Sequence, residues 1–325
     1  MGENRVRMIR MNREDFTSQD IDYLLVSISN EERCYSVLSI LKEKKVKIRN
    51  LILFIYEKFE GNVLSKREQI FLDECAQDVR VIRCDKGKEG QATIDLANIG
   101  IEKEAKIGFD ITGFAIPDIF KILYVLNNII ETSHVDVFYT EPKYYCYQNG
   151  IFTTYSRNSG ECVYNVIEEY NNTGNGKHEV LVCFLGFDKN VSKYVYDEVV
   201  PYETVVVNGF PSYLPKLKDI SLLNNYELIA TVGSEKVISV RANSPYATYN
   251  CLNCMKKKYD EDLLNICVLG TKPMALGAAM FALRNPQRVK VSYAFPEKYK
   301  PNSSAEVGDS WCYQINFGGE SNENH

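Results

Sequence analysis

Short apolar runs, polar turns and stretches of helical periodicity alternate along the whole chain. Asp22 to Ser29 is a near-continuous apolar run, and the polar Asn30–Arg33 leads from it into an amphipathic stretch from Cys34 to Leu41. Glu179 to Leu185 is a second such run, followed by Gly186–Asp188 and a helical pattern from Val191 to Val199. Both read as strand, polar loop, helix, because buried parallel strands are apolar on both faces whereas helices repeat every three to four residues.

The same order continues in both halves. Second strands are expected at Leu51–Tyr56 and Thr204–Val207, each before a helix, at Ser65–Cys75 or Leu214–Asn224. Third strands are expected at Val79–Arg83 and Val237–Val240. Fourth strands at Ile107–Gly113 and Ile266–Lys272 precede helices at Pro117–Asn127 and Pro273–Leu283. Fifth strands begin at Val135 and Val289 and share an ending, with Tyr139, Pro142 and Tyr145 recurring 154 positions later as Tyr293, Pro296 and Tyr299. These aromatics are read as packing for the last strand, with Pro142 and Pro296 terminating it; stacking of Tyr139, Glu141, Tyr145, Tyr293 and Tyr299 on bases, or their meeting across the two lobes, is the alternative. A weaker echo, Cys162–Tyr164 against Trp311–Ile315, suggests that each half also closes with an extra strand.

Strands alternating with helices favour parallel βαβ units, since parallel neighbours need a crossover. The expected fold is therefore α/β: two tandem Rossmann-like lobes with mainly parallel sheets, related by internal duplication. The lobes are placed at residues 1–170 and 178–317, with a turn-rich linker at 171–177 and a polar tail at 318–325. One continuous sheet built by both halves is the competing arrangement.

At 325 residues, with 45% hydrophobic and 25% charged residues, the chain is long enough for two globular cores. A formal charge of -5 makes nucleic acid and anionic membranes poor default partners. The longest apolar stretch, Ile111 to Ile130, is interrupted by Pro117, Asp118 and Lys121, so no membrane span is expected. Met1–Val6 lacks an apolar leader, which points to reduced thiols and a cytoplasmic setting. Three histidines leave little for histidine-based catalysis, and Cys251 and Cys254 form the only Cys-x-x-Cys, so no metal site is expected.

Candidate chemistry follows from topology. In open parallel sheets ligands bind beyond the carboxyl ends of the strands, where connections diverge beside strand 1. The relevant loops are Ser27–Arg33 and Asp110–Gly113 in the first lobe, and Leu185–Lys189 and Gly270–Lys272 in the second. Gly270, Thr271 and Lys272 combine close backbone approach, a hydroxyl and a charge at a helix amino terminus, which suits an anion; an ordinary turn with an exposed lysine is the alternative. Asp110 and Thr112 occupy the matching place in the first lobe. There Asp110 is read as a ribose ligand, a metal ligand or a base, or else as a group that caps the next helix or stabilises its own loop. Arg33 is a second ligand candidate and an expected salt-bridge partner of Asp110. A hydrolytic reading would use Asp110 with Glu32 or Glu141 and Mg²⁺.

The segment from Leu269 to Leu276, containing Gly270-Thr271-Lys272-Pro273-Met274, resembles the Gly-Thr-Lys-x-Met turn of CRISPR-associated Rossmann-fold (CARF) sensor domains. Ser29-Asn30-Glu31-Glu32-Arg33 is similar to a first loop in uncharacterised bacterial proteins connected with phage defence. The resemblance implies a nucleotide-like or cyclic oligonucleotide ligand, with Gly270, Thr271 and Lys272 as its contacts. CARF sensors usually pair two chains and carry an effector domain, whereas this chain holds both copies itself and no recognisable nuclease. Three functions are therefore carried forward: a nucleotide or oligonucleotide sensor, a metal-dependent phosphodiesterase or other hydrolase, and a non-catalytic defence subunit docking on an ATPase or nuclease. No cofactor is assigned.

Overall fold

The computed structural model describes residues 7–11, 16, 18–28, 31–56, 65–84, 91–145, 153–154, 163–166, 177–189, 191–210, 215–294, 298–299 and 304–317. The chain divides into two compact units. Unit 1 comprises residues 1–115, 122–146 and 301–325; unit 2 comprises 116–121 and 147–300.

Unit 1 is built on β1 (Arg7–Arg10), β2 (Ile21–Ser27), β3 (Ile48–Tyr56), β4 (Ala76–Cys84), β5 (Ile107–Asp110), β6 (His134–Tyr145) and β15 (Ser304–Asn316). Their order in the sheet is β1-β15-β6-β5-β2-β3-β4. The five strands from β2 to β6 are mutually parallel, while β15 runs antiparallel to β6 and β1 antiparallel to β15. Counted along the chain, the parallel strands lie in the order 3-2-1-4-5.

Unit 2 contains β8 (Val163–Asn165), β9 (Glu179–Phe184), β10 (Glu203–Gly209), β11 (Val237–Val240), β12 (Leu263–Val268) and β13 (Val289–Ala294), ordered β11-β10-β9-β12-β13-β8. Strands β9 to β13 are parallel and again follow 3-2-1-4-5, with β8 antiparallel to β13. A small ladder joins β7 (Thr153–Thr154) to β14 (Lys298–Tyr299).

The expected division at residues 171–177 does not match these units. Both closing strands exist, but each lies on the other half's sheet: β8, which follows the first set of five, pairs with β13, and β15, which follows the second, pairs with β6. Hydrophobic pattern marks a strand but not its neighbour, and register is set by pairing partners. Residues 171–176 and 318–325 lie outside the described residues.

The central strands form where they do because their apolar residues are covered by helices. Leu24, Val26, Leu51 and Leu53 pack against Val37, Leu38 and Leu41 of α1 (Ser36–Glu43) and Leu72 of α2 (Lys66–Cys75). Helix α2 starts in a capping box, Ser65 accepting from the Glu68 amide and Glu68 from that of Ser65, an arrangement that contributes about 1 kcal/mol. Also in this half of the chain are α3 (Gln91–Ala97) and α4 (Ile116–Tyr124), the latter continuing as a π turn over Val125–Ile129. In unit 2, Leu181, Cys183, Val206 and Cys267 meet Val191 and Val195 of α5 (Val191–Val199) and Leu228 of α7 (Tyr226–Val232). Helix α6 (Pro215–Asn224) precedes α7, and α8 (Pro245–Lys258) and α9 (Lys272–Arg284) follow.

Pro142 does not terminate its strand. Strand β6 runs on to Tyr145, and Pro142 stands opposite Val307 where the ladder shifts register between Val307 and Ser310. A bulge tolerates a residue with no N–H to donate. Pro296 lies outside the described residues. Among those described, no helix is long and apolar enough to cross a membrane.

Candidate functional site

In unit 1 the ends of β2 and β5 and the middle of β6 carry a buried polar cluster beside the point where the crossovers diverge. Strand β5 stops at Asp110 rather than Gly113, and a tight turn follows. Gly113 makes that turn feasible: a Cβ there would lie 1.8 Å from the Ser27 carbonyl oxygen at the tip of β2. The side chain of Asp110, 2% exposed, accepts from the Thr112 amide at 3.0 Å and from the Thr112 hydroxyl. Of its expected roles, the stabilisation of its own loop is the one these bonds perform. The Thr112 oxygen in turn accepts from the Thr140 amide at 2.9 Å, and the Thr140 and Ser310 hydroxyls meet at 2.9 Å, tying β15 into the cluster.

Arg33 closes this network from the other side. It lies in a short 3-10 turn, Glu32–Tyr35, and is 9% exposed. One terminal nitrogen donates to the Thr140 carbonyl at 3.0 Å, and its Nε donates to Glu31 Oε2 at 2.7 Å. Arg33 and Asp110 are thus joined through Thr140 and Thr112. Burial disfavours the guanidinium charge, but Tyr139, Glu31, Cys34 and Tyr145 favour it and the balance lifts the group above its ordinary range. Burial likewise pushes the Tyr145 phenol well up, so it stays protonated. Glu31 has an extended backbone at the entry to the turn, yet its side chain makes no capping bond there.

In unit 2 the corresponding loops are held differently. Thr271 is the N-cap of α9, accepting from the Met274 amide at 3.4 Å, and its hydroxyl donates to the Ala242 carbonyl. Its expected ligand oxygen is therefore engaged in the fold. Lys272 opens the helix and Pro273 follows, both compatible with a first turn. Gly270 packs close to Met274 and Leu185, and Gly186 comes so near Leu269 that a Cβ would sit 2.2 Å from its carbonyl oxygen. The Gly186 carbonyl accepts from Ser221 at 3.1 Å and from Asn225 at 2.9 Å, while Asn224 donates to the Phe187 carbonyl at 2.6 Å. The α6–α7 junction thereby clasps the loop after the first strand.

The structure brings Arg33, Asp110 and Thr112 into one network, and Gly270, Thr271 and Lys272 into one helix start. Glu32 is exposed in its turn, whereas Asp110 is buried with Thr112, and Glu141 accepts from the Trp311 indole at 2.6 Å. Glu32 precedes Arg33 and Glu141 follows Thr140, so both carboxylates adjoin members of the Asp110 network in the chain. Among the described residues no group of three or more His, Cys, Asp or Glu side chains is arranged to hold a metal ion. Cys251 and Cys254 stand on α8, with burial pushing the Cys251 thiol up to about 11.

Sequence reasoning missed Thr140, Ser310, Ser221 and Asn225 as members of these networks. Their signal was a polar residue at the end of an apolar run, which Thr140 gives in β6, but nothing in the sequence showed what Ser310 or Asn225 would meet. No protein-family model matches the chain, and no curated protein matches it.

Proposed function

We propose that the protein is a nucleotide or oligonucleotide sensor made of two duplicated Rossmann-like lobes, serving bacterial phage defence by passing ligand occupancy to a protein partner such as an ATPase or nuclease. One observation carries this reading: both units have the 3-2-1-4-5 strand order, and in each a cationic side chain stands at the carboxyl ends beside the point where the crossovers diverge. In unit 1 that side chain is Arg33, after the first strand; in unit 2 it is Lys272, at the start of the helix after the fourth. A guanidinium and a helix-start lysine both suit phosphate oxygens. Duplication is supported by the repeated strand order together with the repeated Tyr-x-x-Pro-x-x-Tyr ending. The resemblance of Gly270-Thr271-Lys272 to the CARF turn supports the ligand class. Binding is favoured over hydrolysis because Asp110 is committed to the Thr112 amide and hydroxyl and Glu141 to the Trp311 indole.

Thermal-shift and calorimetric titration with cyclic oligonucleotides and dinucleotides tests the proposal. A ligand at about 100 times its Kd stabilises the protein by roughly 2.7 kcal/mol. Wild type should respond and Lys272→Ala should respond less. No response in wild type, or an equal one in Lys272→Ala, would sink the reading.

A further inference from the structure

We infer that the outer edge of β4 is a pairing surface for a second copy of this chain, the two β4 strands running antiparallel about a two-fold axis at Val79. Among the described residues β4 pairs with β3 alone and closes one side of the unit 1 sheet. The other edge strands of the two larger sheets are short: β1 has four residues, β8 three and β11 four. Strand β4 has nine, contains neither proline nor lysine, and keeps one register with β3 throughout. Short edges are one way in which sheets avoid pairing with foreign strands, and β4 lacks that protection. Apolar side chains are exposed at the same place. Val81 is 47% exposed, and α2 and α3, which precede and follow β4 and lie against it, carry Ile70 at 59% and Ile94 at 55%.

Charge selects both the partner and the register. Asp78 and Arg80 stand two apart on one face of β4 and pair at 2.9 Å, each about half exposed. With Val79 facing the partner's Val79, Asp78 of each chain lies opposite Arg80 of the other, while Gln77 meets Val81 and Ala76 meets Ile82. Opposite charges directly across a strand pair are favourable. Moving the axis one residue in either direction sets Arg80 against Arg80 or Asp78 against Asp78, and like charges so placed are destabilising. The exposed pair within each chain contributes little and is readily loosened. Edge charges that ordinarily repel a neighbouring strand therefore complement a second copy of themselves, with the closed two-fold symmetry usual in such pairs. From Ala76 to Ile82 the contact is roughly 24 Å long. That is modest for a stable interface, so the dimer forms in a concentration-dependent way.

Sedimentation of the full chain at concentrations up to about 200 µM tests the inference. Wild type should show a monomer–dimer equilibrium. Asp78→Arg and Arg80→Asp each set like charges opposite one another on both sides of the axis, and each should weaken the dimer about tenfold or more. Mixed together, the two variants regain opposite charges at both positions and should form a heterodimer about as tight as wild type. Neither chain has then recovered its own Asp78–Arg80 pair, so the rescue reads contact between copies and not a structural role within one. Val81→Glu, at an exposed apolar position, should also weaken the dimer, and it carries the test if a charge variant does not fold by circular dichroism. A wild type that stays monomeric throughout, a dimer undiminished in both charge variants, or a mixture that does not associate overturns the inference. So does a wild type that takes up an extended peptide along β4 and never a second copy.

Discussion

Replacing Gly113 by alanine should be among the most damaging single-methyl additions in unit 1. The new Cβ would sit 1.8 Å from the Ser27 carbonyl oxygen and 2.6 Å from its carbon, so reaching an ordinary 3.4 Å contact requires about 1.6 Å of movement between two backbones. Neither backbone is free to give: Ser27 pairs with Phe54 on β3, and Val26 with Asp110 on β5. Gly108→Ala supplies the control. Its Cβ would meet Leu24 Cδ1 at 2.8 Å and Phe138 Cε2 at 3.0 Å, both ends of side chains that yield by a few tenths of an ångström. Overpacking of that kind costs about 1–3 kcal/mol, and the backbone clash at Gly113 should reach or exceed the top of that range. Urea unfolding followed by Trp311 fluorescence reports on unit 1, where the only tryptophan lies. With a slope of about 1–3 kcal/mol per molar, Gly113→Ala should lower the midpoint by about 1 M or more. A midpoint within about 0.3 M of wild type, or a larger loss in Gly108→Ala, would refute the reasoning.

Two further outcomes are expected. Asn225→Ala removes donors to Gly186 at 2.9 Å and Ser221 at 2.7 Å and an acceptor for Ser192 at 2.5 Å, all buried, and should destabilise unit 2 by about 3 kcal/mol in urea melts read by circular dichroism; a loss under about 1 kcal/mol would show the clasp to be dispensable. His134, at the start of β6, meets Asp136 of the same strand at 3.0 Å and reaches across to Asn316 of β15 at 2.7 Å; Asp136 raises its pKa, partial burial opposes this, and Asn316 adds to the rise. The folded value therefore lies above the ordinary 6.5, so this stabilisation is complete below 6.5 and fades as pH climbs through the raised value. Urea midpoints measured across that window should fall with rising pH in wild type and less so in His134→Gln, and identical slopes would dismiss the latch.

Much of the scaffold is legible in the sequence. Most of the parallel strands announce themselves as short apolar runs, and even the brief β11 appears at its expected residues, Val237–Val240, whereas β4, largely exposed, follows α2 without a turn and starts three residues before the expected Val79. The ends were less legible: β5 stops three residues early because Asp110 turns to Thr112, a contact two residues away that periodicity does not encode. The candidate residues were found by charge and position, but their bonds were not. Thr271 looked like a ligand hydroxyl and spends itself on its helix and on Ala242, twenty-nine residues back. Arg33 looked like a partner for Asp110 and is fastened to Thr140, on a strand more than a hundred residues away. Long-range partners of this kind arise from packing, and a local pattern carries no trace of them.

The exchange of closing strands has a consequence for the newly made chain. The outer edge of β6 is complete at Tyr145, but the strand that covers it, β15, ends at Asn316, about 170 residues later. At typical synthesis rates of about 5–20 residues per second, that edge waits on the order of ten to thirty seconds with its backbone donors and acceptors unpaired. An open edge of twelve residues is a template for the wrong neighbour, including the same strand on an adjacent nascent chain. Unit 1 therefore matures only after unit 2 has been translated, so a ribosome stalled between them would release a sheet with one side still unfinished.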